Sequence, residues 1–231
     1  MRSHVARVFM FSALLLLFVG STRLVYAQGA TASKDSTAAT SKSETPSKTA
    51  GEEASYFTVS GGYSWPVGGP VENTYQAGFT MGAAFRKAVV PSYISGIEFG
   101  YTWLTLDSAN LASMNPGSTF SGGDMGLLSI TTENDYLFGA PEKPMRPFVN
   151  LGIGYYKSFI DDATQTTGSN TTSYSTGVYE GSFFGFHAGI GAMINRDRFG
   201  LRLDANYQHL FAGGPDLEFF TARGGIVFYT G

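Results

Sequence analysis

Chemistry in this chain would have to begin at its histidines, because it contains no cysteine and only 14% of its residues are charged. Of the three histidines, His4 falls in an N-terminal leader, which leaves His187 and His209. Membrane-edge enzymes that acylate or deacylate lipids, or cleave phospholipids, pair an imidazole with a serine nucleophile. Neither histidine has a serine two residues away on its own strand face; His187 precedes Ala188 and Gly189, and His209 falls on an outward phase. No catalytic residue is assigned, and the chain is read as non-enzymatic. Without cysteine there is also no thiolate metal site, disulfide framework or lipid-modified cysteine. Two separated histidines leave only carboxylate pairs such as Asp161-Asp162, which read as a solvated loop, so neither metal nor cofactor is expected. Gly152-x-Gly154 and Gly189-x-Gly191 do not run into the helix that a nucleotide fingerprint requires. Glycine facing inward from a barrel strand accounts for them. The Asn170-Thr171-Thr172 sequon reads as accidental.

A second set of polar residues is more informative. Glu98, Arg202, Asp204 and Arg223 each occupy the polar phase of a segment whose other phase is apolar, and Glu133 is a further member. The clearest case is the stretch in which Leu201, Leu203, Ala205 and Tyr207 alternate with Arg202, Asp204, Asn206 and Gln208. These five charges are expected to meet as an ion-pair network; the competing reading is that they only keep an interior polar and wet.

Positioning them requires strands. From Tyr56 onward the dominant pattern is period-two alternation in segments of roughly ten residues, separated by Gly, Pro, Asn, Asp and Ser clusters. Eight segments are predicted, over 56–65, 75–85, 93–105, 126–138, 146–158, 183–194, 199–211 and 219–229. In each, one phase is apolar: Phe57, Val59, Tyr63 and Trp65 in the first, Phe79 in the second, Ile97, Phe99, Tyr101 and Trp103 in the third, Ile226 and Phe228 in the last. The fourth alternates least well, because Thr132 and Asn134 share a face with Leu128, Ile130 and Tyr136, while Ser129, Thr131, Glu133 and Asp135 take the other. The fold expected is all-β, an eight-stranded antiparallel transmembrane barrel of outer-membrane type over 56–231, lipid-facing residues outside and polar residues within.

Connections point the same way. Outer loops are predicted over 66–74, 107–124, 161–182 and 212–218, and short inner turns over 86–92, 139–145 and 195–198, the asymmetry such barrels show. Aromatics near strand ends predict two interfacial girdles: Tyr63, Trp65, Tyr75, Trp103, Tyr155 and Tyr207 at one rim, Phe85, Tyr93, Tyr136, Phe148, Phe199 and Phe228 at the other. A soluble lipocalin-like barrel would need the faces inverted, with Arg202, Asp204, Asn206 and Gln208 in water. The inward glycines suggest instead a filled lumen.

Residues 1–27 combine Arg2 and Arg7, an apolar run from Val8 to Gly20 and a Val25-Tyr26-Ala27 exit, the pattern of a cleaved secretory signal peptide. The run is shorter than the roughly 20 apolar residues of a spanning helix. Residues 28–55 carry no Val, Ile, Leu, Met or aromatic residue and have nothing to bury, so they read as a disordered periplasmic tether. Losing Arg2, Arg7 and Arg23 takes the 15 basic residues to 12 against 18 acidic ones, about −6, which disfavours nucleic acid as a partner. With 13 Tyr, 19 Phe and 30 Gly, the composition is aromatic and glycine-rich without a helical span, as barrels are.

The segment Arg146-Pro147-Phe148-Val149-Asn150-Leu151-Gly152-Ile153-Gly154-Tyr155-Tyr156 resembles a strand of the small outer-membrane β-barrel domain family, which includes OmpA-like and OmpW-like barrels. Gly185-Phe186-His187-Ala188-Gly189-Ile190-Gly191 and Leu203-Asp204-Ala205-Asn206-Tyr207 resemble two others. The resemblance covers about 56–229 and implies the eight-stranded fold, outer-membrane localisation with both termini periplasmic, and contact with outer-membrane lipid, lipopolysaccharide and the barrel-assembly machinery. The family's final aromatic is replaced here by Phe228-Tyr229-Thr230-Gly231, which bears on assembly efficiency. A structural or surface-interaction role through the Ser/Thr/Gly-rich loops is expected first. A narrow, porin-like pore or lateral portal for small solutes, as an OmpW-like likeness implies, comes second, and a lipid-modifying enzyme last.

Overall fold

The computed structural model describes residues 55–174, 179–196 and 199–230. The leader over 1–27 and the tether, apart from Ser55, lie outside the described residues. Eight long strands close on themselves: β1 (Ser55–Pro66), β2 (Gly78–Val90), β3 (Tyr93–Leu104), β5 (Met125–Leu137), β6 (Met145–Ile160), β9 (Gly181–Asn195), β10 (Phe199–Phe211) and β11 (Leu217–Thr230). Neighbours in the closed order β1-β11-β10-β9-β6-β5-β3-β2 pair antiparallel, and β1 completes the ring by pairing β2 on one side and β11 on the other. Closure leaves no barrel strand with an unpaired edge, the condition for a sheet to stand in lipid.

The remaining elements belong to the long connections. Helix α1 (Gly69–Thr74) follows β1; helix α2 (Ser108–Met114) and strand β4 (Ser118–Gly122) join β3 to β5; strands β7 (Ala163–Thr167) and β8 (Asn170–Tyr174) follow β6. The Asp107 side chain caps α2 by accepting from Asn110 N at 3.0 Å, satisfying one of the N–H groups a helix start leaves free. Strands β4, β7 and β8 form a separate three-stranded sheet beyond the loop end of the barrel. Those loops were expected without strands: in Ser118-Thr119-Phe120-Ser121-Gly122 and Ala163-Thr164-Gln165-Thr166-Thr167 nearly every residue is small or polar, so no apolar phase marks them.

At the opposite end the connections are short. Strand β2 continues through Arg86 to Val90 and turns at Pro91–Ser92, so Arg86 lies within a strand rather than opening a turn as predicted. The pattern continues there, with Ala84, Arg86 and Ala88 buried and Phe85, Lys87 and Val89 exposed.

Candidate functional site

The barrel interior is built in three layers. At the loop end, Val71 of α1 drops into an apolar cluster with Leu104, Met125, Leu210, Leu217 and Phe219, all at most 1% exposed. At the turn end, Tyr56, Ile94, Leu137, Phe148, Met193 and Val227 form a second apolar cluster. Every strand residue in these clusters sits on the inward phase of its strand, so the strand ends carry apolar residues inward as well as outward.

Between the clusters lie the charges. Arg202 donates to Asp204 Oδ2 at 3.1 Å and to both oxygens of Asp135, one of them at 3.1 Å, and its guanidinium lies 4.1 Å from the centre of the Phe148 ring. Arg223 donates to Asp204 Oδ1 at 3.1 Å and to Glu98. Arg86 bridges Glu98 Oε2 at 2.9 Å and Glu133 Oε2 at 3.4 Å. Asn150 donates to Glu133 at 2.8 Å and Asp135 at 2.7 Å, Asn206 donates to Asp204, and His187 Nε2 stands 3.2 Å from Glu133 Oε1. The five residues predicted from alternation, Glu98, Glu133, Arg202, Asp204 and Arg223, thus stand in one connected cluster. Sequence reasoning placed Asp135 and His187 inward without joining them to it and missed Arg86, whose Arg86-Lys87 doublet resembles a turn. In a sealed interior such charges persist only with partners, since each unpaired ion would carry a large desolvation cost.

Inward glycines make room for these side chains. A Cβ on Gly96 would stand 2.7 Å from Arg86 Cγ, one on Gly152 would stand 2.2 Å from His187 Cε1, and one on Gly189 would stand 2.0 Å from Asn206 Oδ1. Arg86, His187 and Asn206 each occupy space that a glycine on the neighbouring strand leaves free.

The outer surface is the reverse of the inside. Phe79, Ile97, Leu203 and Ile226 are 46–55% exposed, while Thr80, Glu98 and Asp204 are at most 6% exposed. A closed barrel with an ion-pair cluster inside and a predominantly apolar belt outside is matched to lipid, not water. It is a transmembrane β-barrel of outer-membrane type.

No protein-family model matches the chain, and no curated protein matches it. Among solved structures, the barrel is similar to neisserial surface protein A, with 12% identity over 76% of this chain and 97% of that one and a TM-score of 0.48. It is also similar to the outer-membrane protein OprG from Pseudomonas aeruginosa, with 11% identity, 78% and 98% coverage and a TM-score of 0.49. Ail of Yersinia pestis aligns at 14% identity, 77% and 99% coverage and a TM-score of 0.44.

The predicted girdle residues divide into three groups. Tyr63, Trp65, Trp103 and Tyr155 at the loop end and Phe85, Tyr136, Phe199 and Phe228 at the turn end are exposed on the barrel surface. Tyr93 and Tyr207 are half-buried, Tyr93 donating to Asn134 Oδ1 at 2.7 Å. Tyr75 and Phe148 do not belong to a girdle. Tyr75 is 2% exposed in the loop-end cluster, because it follows α1 before β2 begins and is bridged to Leu106. Phe148 is 1% exposed, turned inward by the same alternation that sends Val149 outward.

The outward phase of His209 places it at the loop-end rim, stacked on Phe186 at 5.5 Å, with Nε2 3.3 Å from Asp216 and Nδ1 3.5 Å from Glu218. Both histidines therefore face carboxylates, His209 those of the adjoining loop and of β11, and His187 that of Glu133 on β5, two strands away round the barrel.

Proposed function

We propose that the protein is an integral outer-membrane barrel with a structural or surface-interaction role, a closed anchor that presents its loops outside the cell. The observation that carries this reading is the three-layer lumen: a continuous path through the barrel would have to displace two apolar clusters and a buried ion-pair network. The structured loop end, with two helices and a three-stranded sheet, supports a role for that end in contact with external surfaces. Outer-membrane lipid and lipopolysaccharide would surround the apolar belt, and the barrel-assembly machinery would insert it. In this reading residues 1–27 are removed on export, residues 28–54 trail into the periplasm as a tether, and an even number of strands returns both barrel ends to that side.

The deciding experiment is a planar-bilayer recording on refolded mature protein. The closed reading expects no current steps above bare bilayer, and reproducible unitary steps would replace it with the narrow-pore alternative. The same sample should migrate faster on a gel unheated than boiled, because a closed barrel keeps its hydrogen bonds in detergent.

A further inference from the structure

We propose that the lumen contains a binding site for one monovalent inorganic cation of sodium or potassium size. A cavity of about 20 Å³ lies between the charge network and the loop-end cluster, bordered among others by Glu133, Tyr156, His187, Asn206 and Arg223. That volume suits one water-sized occupant, for which about 10–15 Å³ suffices.

Three of the residues that line it carry an unpartnered polar atom. Asn206 Oδ1, the Tyr156 hydroxyl and His187 Nε2 are buried without a hydrogen-bond partner among the described residues, on side chains at most 4% exposed. Although His187 Nε2 lies 3.2 Å from Glu133 Oε1, no aligned hydrogen bond joins them. The oxygen of Glu133 on that side has only Thr131 as donor, at 3.5 Å, whereas its other oxygen takes Asn150 at 2.8 Å and Arg86 at 3.4 Å.

The charge count agrees with the geometry. Four carboxylates, Glu98, Glu133, Asp135 and Asp204, face three guanidiniums, Arg86, Arg202 and Arg223. One negative charge is left over, and Glu133, the carboxylate with the loosely held oxygen, is among the residues that line the cavity. An uncompensated charge in a water-poor interior is costly, and hard oxygen ligands suit hard cations. The deficit is a single charge and Arg223 stands at the wall, so a monovalent ion fits and a divalent one would be repelled.

The test refolds the mature chain at matched ionic strength in sodium, potassium or N-methyl-D-glucamine chloride and follows urea unfolding. The expected result is a higher midpoint in sodium or potassium that grows with concentration as mass action requires and is lost in Glu133→Gln. Equal midpoints in all three salts, or a sodium or potassium effect that persists undiminished in Glu133→Gln, would overturn the proposal. A magnesium-specific rise would overturn it too. Should Glu133→Gln fail to fold, crystals grown in rubidium decide: an anomalous peak in the cavity is expected, and its absence from the lumen removes the site.

Discussion

Thr132 ties β5 to β6 with its side chain: its hydroxyl accepts from Ile153 N at 3.1 Å and donates to Ile153 O at 3.2 Å. Backbone pairing between the two strands is regular up to Thr131–Gly154 and resumes at Asn134–Leu151, and the hydroxyl fills the gap. Two residues on, Asn134 donates to Leu151 O at 3.2 Å and accepts from Tyr93 and Ser95.

Thr132→Val should therefore destabilise the barrel even though it makes the lipid face more apolar. The Ile153 N–H would be left without an acceptor where water is scarce, a loss of about 1–3 kcal/mol. Thr132→Ser should be close to neutral. Urea unfolding of both variants in lipid bilayers checks this; a valine variant as stable as the parent would mean that backbone pairing closes the gap without the hydroxyl.

The network should behave as one unit. Glu98→Gln leaves parts of Arg86 and Arg223 unpaired, and Arg223→Met strands Glu98 and Asp204, so each change should cost about 3–5 kcal/mol if the cluster is desolvated. Together they should cost clearly less than the sum, and that coupling is what a double-mutant cycle measures. Small additive losses would identify the charges as solvated neighbours.

Leu203→Arg and Ile97→Arg should each cost about 2–4 kcal/mol if their sites lie near the bilayer midplane. Spin labels at Phe79, Ile97, Leu203 and Ile226 should report lipid, with labels at Thr80 and Asp204 shielded from it. Water at the first group would mean that the barrel's faces are inverted relative to the membrane.

Gly96→Ala should lose stability by at least about 1–3 kcal/mol, the usual cost of overpacking, because its methyl would meet Phe85 O at 2.2 Å and Arg86 Cγ at 2.7 Å. Gly61→Ala and Gly224→Ala, with nearest contacts of 3.5 Å and 3.4 Å, should change little. Equal sensitivity at all three positions would assign the effect to strand backbone, not to the space Arg86 occupies.

Strand number, facing and most of the charge cluster were legible in the sequence, because a barrel with lipid outside and polar groups inside writes its pleat directly into residue type. Legibility failed where that contrast fades. Arg86 lies next to Lys87, and two adjacent charges look like a turn although they point to opposite sides of the wall. Tyr75 is held by α1 and Leu106, a non-local arrangement that no periodicity announces. In β4, β7 and β8 hydroxyl residues occupy both faces. Thr132 and Asn134 looked like flaws in an apolar face, and only the interrupted pairing with β6 gives them partners.

The interlocking of inward glycines with side chains from adjacent strands also constrains how this barrel could drift. Phe148 fills the space over Gly191, where a Cβ would stand 2.3 Å from its ring, and His187 fills the space over Gly152. A Cβ at these glycines would also meet backbone, Leu203 O at 2.4 Å and Thr132 O at 2.0 Å, so a smaller facing side chain would not by itself admit a larger residue there. Among descendants of this chain, positions 152 and 191 should then stay glycine, while positions 187 and 148 vary only among side chains that fill the space over them.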